Sequence, residues 1–196
     1  MNLRYAGIIA IQIEKGDRLI DAKLTNGNNE LVLITKEGMS LRFHEEQLRD
    51  QGRNTVGVWG IRPDKKDHVV AIAILDPDSM LLVAGENGIG KRTPFDDYRK
   101  QNRGGKGIIT MKTGAKTGDV VGALTVRDSD ELMLITTKGQ MVRTRVKEIR
   151  ETGRNTMGVK LMDLRSGEKL QAIAPVVSQA EEDAKAETAS EKPEKA

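Results

Sequence analysis

One hexapeptide occurs twice in near-identical copies, and its spacing constrains the fold more than any other feature. Gly52-Arg53-Asn54-Thr55-Val56-Gly57 returns 101 residues later as Gly153-Arg154-Asn155-Thr156-Met157-Gly158, and Asn102-Arg103-Gly104-Gly105-Lys106-Gly107 lies midway. A fixed period near 50 residues marks an array of like units rather than one irregular core. Other columns keep the period. Leu31 to Thr35, Leu81 to Gly85 and Leu132 to Thr136 are short apolar runs that read as buried strands. Each precedes a tight turn, at Glu37-Gly38, Asn87-Gly88 and Lys138-Gly139, and then a second strand: Met39 to Phe43, Ile89 to Thr93 and Gln140 to Thr144. A further strand set centres on Leu19-Ile20, Val69-Val70, Val120-Val121 and Leu170-Gln171. Four strands per ~50 residues is the content of a propeller blade.

The expected fold is therefore all-β: a propeller-like β-pinwheel of about three to four blades, open or spiral. Approximate repeats are 7–56, 57–106, 107–157 and a partial 158–177. The elements count to three full repeats plus a final strand pair, out of phase at both ends. That predicts strand exchange between neighbours, a cut through a longer array, or both.

Composition fits an aliphatic, turn-rich β protein, with 3% aromatic residues and 20 glycines in 196 residues. With no cysteine, disulfides, thiolate metal sites and cysteine nucleophiles are excluded. No apolar run reaches the ~18 residues of a membrane span and no secretory signal opens the chain, so a cytoplasmic protein without membrane contact is expected. Residues 178–196 hold six acids and three bases and read as a disordered acidic tail, equally one that competes weakly with polyanions or an inert solubilising one. The net charge is +3 overall, with 32 basic and 29 acidic side chains. Without that tail the body holds 29 against 23 and stands at +6, which points to a polyanionic partner.

Most chemistry that the sequence mimics fails on context. Gly85-Glu86-Asn87-Gly88-Ile89-Gly90-Lys91 imitates a phosphate-binding loop, but Arg92 replaces the hydroxyl that would hold magnesium and Pro94 blocks the following helix, so a hairpin turn is expected. His44 and His68 lack the spacing of a zinc site. Glu45-Glu46 and Asp96-Asp97 follow strand ends and read as short helical turns. Trp59 stands outside any repeated aromatic column and reads as packing. No catalytic residue, metal or cofactor is expected in this chain.

What survives is arginine at fixed blade positions. Arg53, Arg103 and Arg154 recur in glycine-containing loops. Arg42, Arg92 and Arg143 recur on strands 11 residues earlier, with Lys91 and Arg145 beside them. Equivalent columns of successive blades lie along one curved path, which suits a phosphodiester backbone. The strand arginines read equally as phosphate contacts or as bridges between blades. For Arg103 and Lys106, with Gly104 and Gly105 supplying amides for an anion nest, phosphate contact is expected.

Gly90-Lys91-Arg92-Thr93-Pro94, Tyr98, Gln101 to Gly107 and Gly153 to Gly158 closely resemble the repeats of the C-terminal domain of bacterial DNA gyrase A, over essentially all of residues 1–177. The resemblance implies a β-pinwheel of strand-exchanging blades whose basic rim bends double-stranded DNA, supporting negative supercoiling by the holoenzyme. Its partners would be duplex DNA, the remainder of gyrase A and the gyrase B protein. ATP and magnesium would be used elsewhere in that assembly, so this chain alone would catalyse nothing. The box-like loop carries Asn102 where the family has arginine and is followed by further repeats, so the chain reads as the C-terminal half of the domain plus the tail, with earlier blades missing before Met1. Tyr5 and Tyr98 match no active-site context. The corresponding C-terminal domain of topoisomerase IV is the neighbouring alternative. A protein-binding propeller is the alternative from another class, disfavoured by few aromatics and the basic body.

Overall fold

The structure, a computed structural model, describes residues 7–176. The acidic tail and Tyr5 lie outside the described residues. Each apolar run forms the first strand of a hairpin: β1 (Glu30–Thr35) with β2 (Met39–His44), β4 (Met80–Gly85) with β5 (Ile89–Pro94), and β8 (Glu131–Thr136) with β9 (Met141–Arg145). The other strands are β3 (Val69–Ile74), β6 (Ile108–Ile109), β7 (Val120–Val126), β10 (Val159–Lys160) and β11 (Leu170–Pro175). All pairing between these strands is antiparallel.

Sheet order shows how the repeats interlock. The first blade runs β3-β1-β2-β6, the second β7-β4-β5-β10, and the third has three strands, β11-β8-β9. Each hairpin takes its inner strand from the next repeat, and the first two take an outer strand from the repeat after that. β6 sets Ile108 opposite Ser40, and β10 sets Val159 opposite Gly90. Blades are therefore stitched through the main chain, in keeping with the out-of-phase count of elements.

The strand expected at Leu19-Ile20 is absent. Residues 7–28 form no strand, and Leu19 and Leu24 are 60% and 97% exposed. They pair with no hairpin among the described residues, and without a ladder or an apolar face to cover, an extended segment has nothing to hold it as a strand. The described strands thus make two complete blades and a third of three strands.

The core lies between blades as well as within them, because the central strands are buried on both faces. Val32 and Ile34 of β1 join Leu81 and Val83 of β4 in one cluster; Leu82 of β4 joins Leu132 of β8 in a second, and Ala84 joins Leu134 in a third. Alternate residues of β4 thus face opposite neighbours. Each fully buried leucine contributes about 1.5–3 kcal/mol. Short 3-10 turns at Glu45–Gln47, Phe95–Asp97 and Val146–Glu148 follow the hairpins, and the first two carry the acidic pairs that predict helical turns there.

Glycine is obligatory where an outer strand enters. Gly107 has φ +79°, and a Cβ there would collide with the Ser40 carbonyl. Gly107→Ala should combine ~1–2 kcal/mol of left-handed strain with partial detachment of β6. Its urea midpoint should fall, and an unchanged midpoint would show that β6 adds nothing to the first blade.

Candidate nucleic-acid interface

Two of the three strand arginines, Arg42 and Arg92, are bridges between blades. Arg42 donates from Nη1 to the Phe95 and Tyr98 carbonyls at 2.7 and 3.0 Å and forms an ion pair with Glu30. Burial alone would raise the Glu30 pKa, but hydrogen bonds from Lys100 and Arg42 outweigh it and hold the carboxyl below its ordinary range. Arg92 repeats the device one blade on: Nε donates to the Ile149 carbonyl at 2.6 Å, and the guanidinium pairs with Asp128. The phosphate reading of Arg42 and Arg92 is corrected accordingly, since their guanidinium groups are engaged by carbonyls at the start and end of the next blade's 3-10 turn, Phe95 and Tyr98 for Arg42 and Ile149 for Arg92. Lys91 is corrected too. It is fully buried, and its ammonium donates to the carbonyls of Gly153, at 2.7 Å, and Arg154, and to Thr156 Oγ1, at 3.1 Å. Arg143 has no such carbonyls; it pairs with Glu131 and is 60% exposed, with Arg145 also exposed, 3.8 Å from the same carboxylate.

The loop arginines are part bridge and part surface. Arg103 donates from Nε to the Gln47 carbonyl (3.0 Å) and from Nη1 to the Trp59 carbonyl (3.1 Å). Arg154 does the same one repeat later, to the Asp97 and Ile109 carbonyls at 3.2 and 2.7 Å. In each, Nη2 makes no described hydrogen bond. Arg53 is exposed and makes none at all among the described residues. One of the two amides of the expected anion nest is taken: the Gly104 amide donates to the Gly60 carbonyl, and the adjacent Arg103 amide to Gln47 Oε1. Gly104, at φ +78°, and Gly105 serve the turn instead. Lys106 is 78% exposed and meets only the exposed Asp64, at 3.2 Å.

A third arginine column joins these, one that the sequence reading missed. Arg49, Arg99 and Arg150 each lie four residues before Arg53, Arg103 and Arg154, on the segment leaving a 3-10 turn. All three are exposed, and none makes a hydrogen bond or ion pair among the described residues. The same 50 and 51 spacings carry this column, so the signal lay in the sequence. Where Arg42, Arg92, Arg103 and Arg154 spend donors on carbonyls, these three hold the whole guanidinium free in water, as Arg53 does and as suits a phosphate contact.

The remaining candidates behave as ordinary residues. The phosphate-loop mimic is the β4–β5 hairpin. His44 caps its 3-10 turn by accepting from the Glu46 amide, and His68 is exposed. No cluster of three metal-ligating side chains occurs among the described residues. Tyr98 is buried, with its hydroxyl 2.7 Å from Thr110 Oγ1, and burial raises its pKa. Trp59 departs from expectation: it is 62% exposed rather than packed.

Burial, with Arg154 close by, lowers the Lys91 pKa from 10.5 to about 8. Between those values the unfolded chain holds a proton that the folded chain has released, so this group makes stability rise with pH across that window. The wild-type denaturation midpoint, measured relative to Lys91→Met, should increase from pH 7.5 to 9.5. A difference flat in pH would contradict the assignment.

Blades that trade strands in this manner define a β-propeller-like repeat protein. A sequence profile of the family described as "DNA gyrase C-terminal domain, beta-propeller" matches residues 2–26, 29–76, 79–127 and 130–176, and the chain belongs to that family. The DNA gyrase A protein of Mycolicibacterium smegmatis is 44% identical over 190 residues, 96% of this chain and 22% of that protein; that of Escherichia coli is 42% identical over 92% of this chain and 21% of its own length. The chain thus spans about a fifth of the curated relatives it matches. A solved DNA gyrase A C-terminal domain superposes with TM-score 0.82 at 26% identity, covering 88% of this chain and 59% of that one. The C-terminal domain of a DNA topoisomerase IV superposes with TM-score 0.87 at 25% identity, covering 96% and 60%. Among the described residues no helix is long and apolar enough to cross a membrane.

Proposed function

We propose that this chain binds double-stranded DNA without sequence preference along the blade rim marked by Arg49, Arg99 and Arg150, and bends it there. Arg53, Arg103, Arg154 and Lys106 add donors along the same path. The observation that carries the reading is the triplet of equivalent, exposed arginines with no described partner, in a body of net positive charge. Phosphates need only charge and donors, and the described residues hold only short 3-10 turns, with no helix long enough to read a major groove. By membership of the gyrase A family, the bent segment would be presented to the rest of gyrase A and to the gyrase B protein, supporting negative supercoiling. Cleavage would then belong to the parts of the enzyme outside this chain, and the buried, hydrogen-bonded Tyr98 is placed to pack rather than to attack a phosphodiester.

The test is a salt titration of duplex binding. Affinity should fall steeply with salt, and replacing Arg49, Arg99 and Arg150 together by glutamine should reduce the slope of log K on log salt by about 0.9 for each phosphate no longer neutralised. The urea midpoint should be unchanged, because none of the three holds a described neighbour. Salt-insensitive binding, or a variant with wild-type slope, would reject the rim.

A further inference from the structure

We propose that the blades carry a second site for double-stranded DNA, on one flat face rather than on the rim, so that one chain holds two duplex segments at once. The proposal rests on the DNA-binding reading of the rim.

Three crossing loops build the site. Residues 112–119 run on from β6, the outer strand of the first blade, to β7, the inner strand of the second, and residues 163–169 run likewise from β10 to β11. Residues 62–68 enter β3 in the same way. Each loop ends against the hairpin turn of the blade it enters: Lys36 N–H donates to the His68 carbonyl at 2.8 Å, Glu86 N–H to that of Asp119 at 2.8 Å and Thr137 N–H to that of Lys169 at 2.9 Å. The middle loop touches the turn of the blade it leaves as well. Thr113 Oγ1 donates to the Glu37 carbonyl at 3.1 Å, while Asn87 Nδ2 of the next turn donates to the Ala115 carbonyl at 3.0 Å. Loops and turns thus form one continuous surface at a single end of the strands. Arg49, Arg99 and Arg150 lie past the other end, after the 3-10 turns. A six-residue strand spans about 20 Å, and from its far end the loops turn inward, so a duplex following the rim arginines leaves their inner part uncovered.

Cations recur on this surface. Arg62, Lys65, Lys66, Lys112, Lys116 and Arg165 are all exposed, and no side-chain hydrogen bond or ion pair holds any of them among the described residues. Lys112 and Lys116 stay exposed although turns from two blades flank their loop. The acids nearby are used. Asp67 and Glu168 are buried, accepting from the Glu37 N–H and from Thr136 Oγ1. Asp64, Glu86, Asp119 and Asp163 pair with Lys106, Lys169, Lys36 and Lys160. Of the acids on these loops and turns, Glu37 is left without a described side-chain partner. The opposite end has the reverse character: Asp78, Asp96, Asp97 and Glu148, on the turns there, are exposed, and their carboxylates have no described partner. A polyanion is therefore drawn to one face and repelled from the other.

The chemistry favours DNA over a protein partner. No large apolar side chain is exposed on the three loops, so the face lacks the apolar centre of a protein interface. What it offers is cations on each of three successive loops, and phosphates need little more.

A bridging assay tests this. Beads bearing a biotinylated duplex, mixed with the 196-residue chain and a second, fluorescent duplex, should retain fluorescence that is absent without protein and lost at high salt. Replacing Lys65, Lys66, Lys116 and Arg165 together by glutamine should lower the bridged fraction about fivefold, while retention of the chain on the bead duplex stays within about twofold. The urea midpoint should not move, because no described side-chain contact is removed. Bridging that survives the substitution, as it would if self-associated chains joined two rims, overturns the proposal. So does a wild type that holds the bead duplex without holding a second one. A wild type that binds neither duplex refutes the rim reading, and this proposal with it. Polyglutamate that displaces the second duplex at a lower charge concentration than unlabelled duplex does would assign the face to an acidic protein and overturn the choice of DNA.

Discussion

The addition of an outer strand from two repeats downstream is the interaction on which the rest of this structure depends. A two-stranded hairpin has too little buried face to stand alone in water. Here β6 closes the edge of β2 and β10 that of β5, so each hairpin becomes a blade only when later parts of the chain arrive. The requirement fixes glycine at the entry points, because only a residue without Cβ passes close to the acceptor carbonyl at positive φ. It also fixes blade order, since a donor reaches one acceptor. At β9, where the described residues supply no outer strand, the side chains alternate exposed and half-buried.

Given that scaffold, charge divides by position. Cations near the blade seams are drawn inward to donate to carbonyls of the next blade, Arg42 and Arg92 to those at a 3-10 turn and Lys91 to those of Gly153 and Arg154. Burying a cation is unfavourable unless its donors are met, and the seams meet them with carbonyls and, for the arginines, a carboxylate. Further out on the same loops, Arg49, Arg99 and Arg150 find no such acceptors and remain in water. A recurring arginine therefore has two separate explanations, one joining blades and one left exposed to solvent, and the carbonyls within its reach separate them.

The hairpins, their turns and the exchange of strands were legible because each rests on a local pattern repeated at a known period. The roles of the arginines were not. Arg42 and Arg92 occupy a column that strand alternation alone places on either face, and their partners Phe95 and Ile149 lie more than 50 residues away in sequence. The glycines at 104 and 105 suggested free amides, yet the neighbouring Arg103 and Gly104 amides are bonded to Gln47 and Gly60, contacts that exist only after blades stack. Trp59 looked like packing because apolar aromatics usually pack, but the segment that carries it pairs with no hairpin among the described residues. Leu19-Ile20 shared the apolar character of real strands and lacked only a hairpin to join. The column at Arg49, Arg99 and Arg150 was readable in principle, since its spacing equals that of the hexapeptide.

The division between seam and rim arginines can be observed directly by modifying arginines with phenylglyoxal and locating the adducts by mass spectrometry, with and without a duplex. Arg49, Arg99 and Arg150 should react in the free protein and be protected by DNA, while Arg42 and Arg92, held among carbonyls and carboxylates, should be inert in both states. Protection confined to other residues, or ready modification of Arg42 and Arg92 in the free protein, would contradict the account.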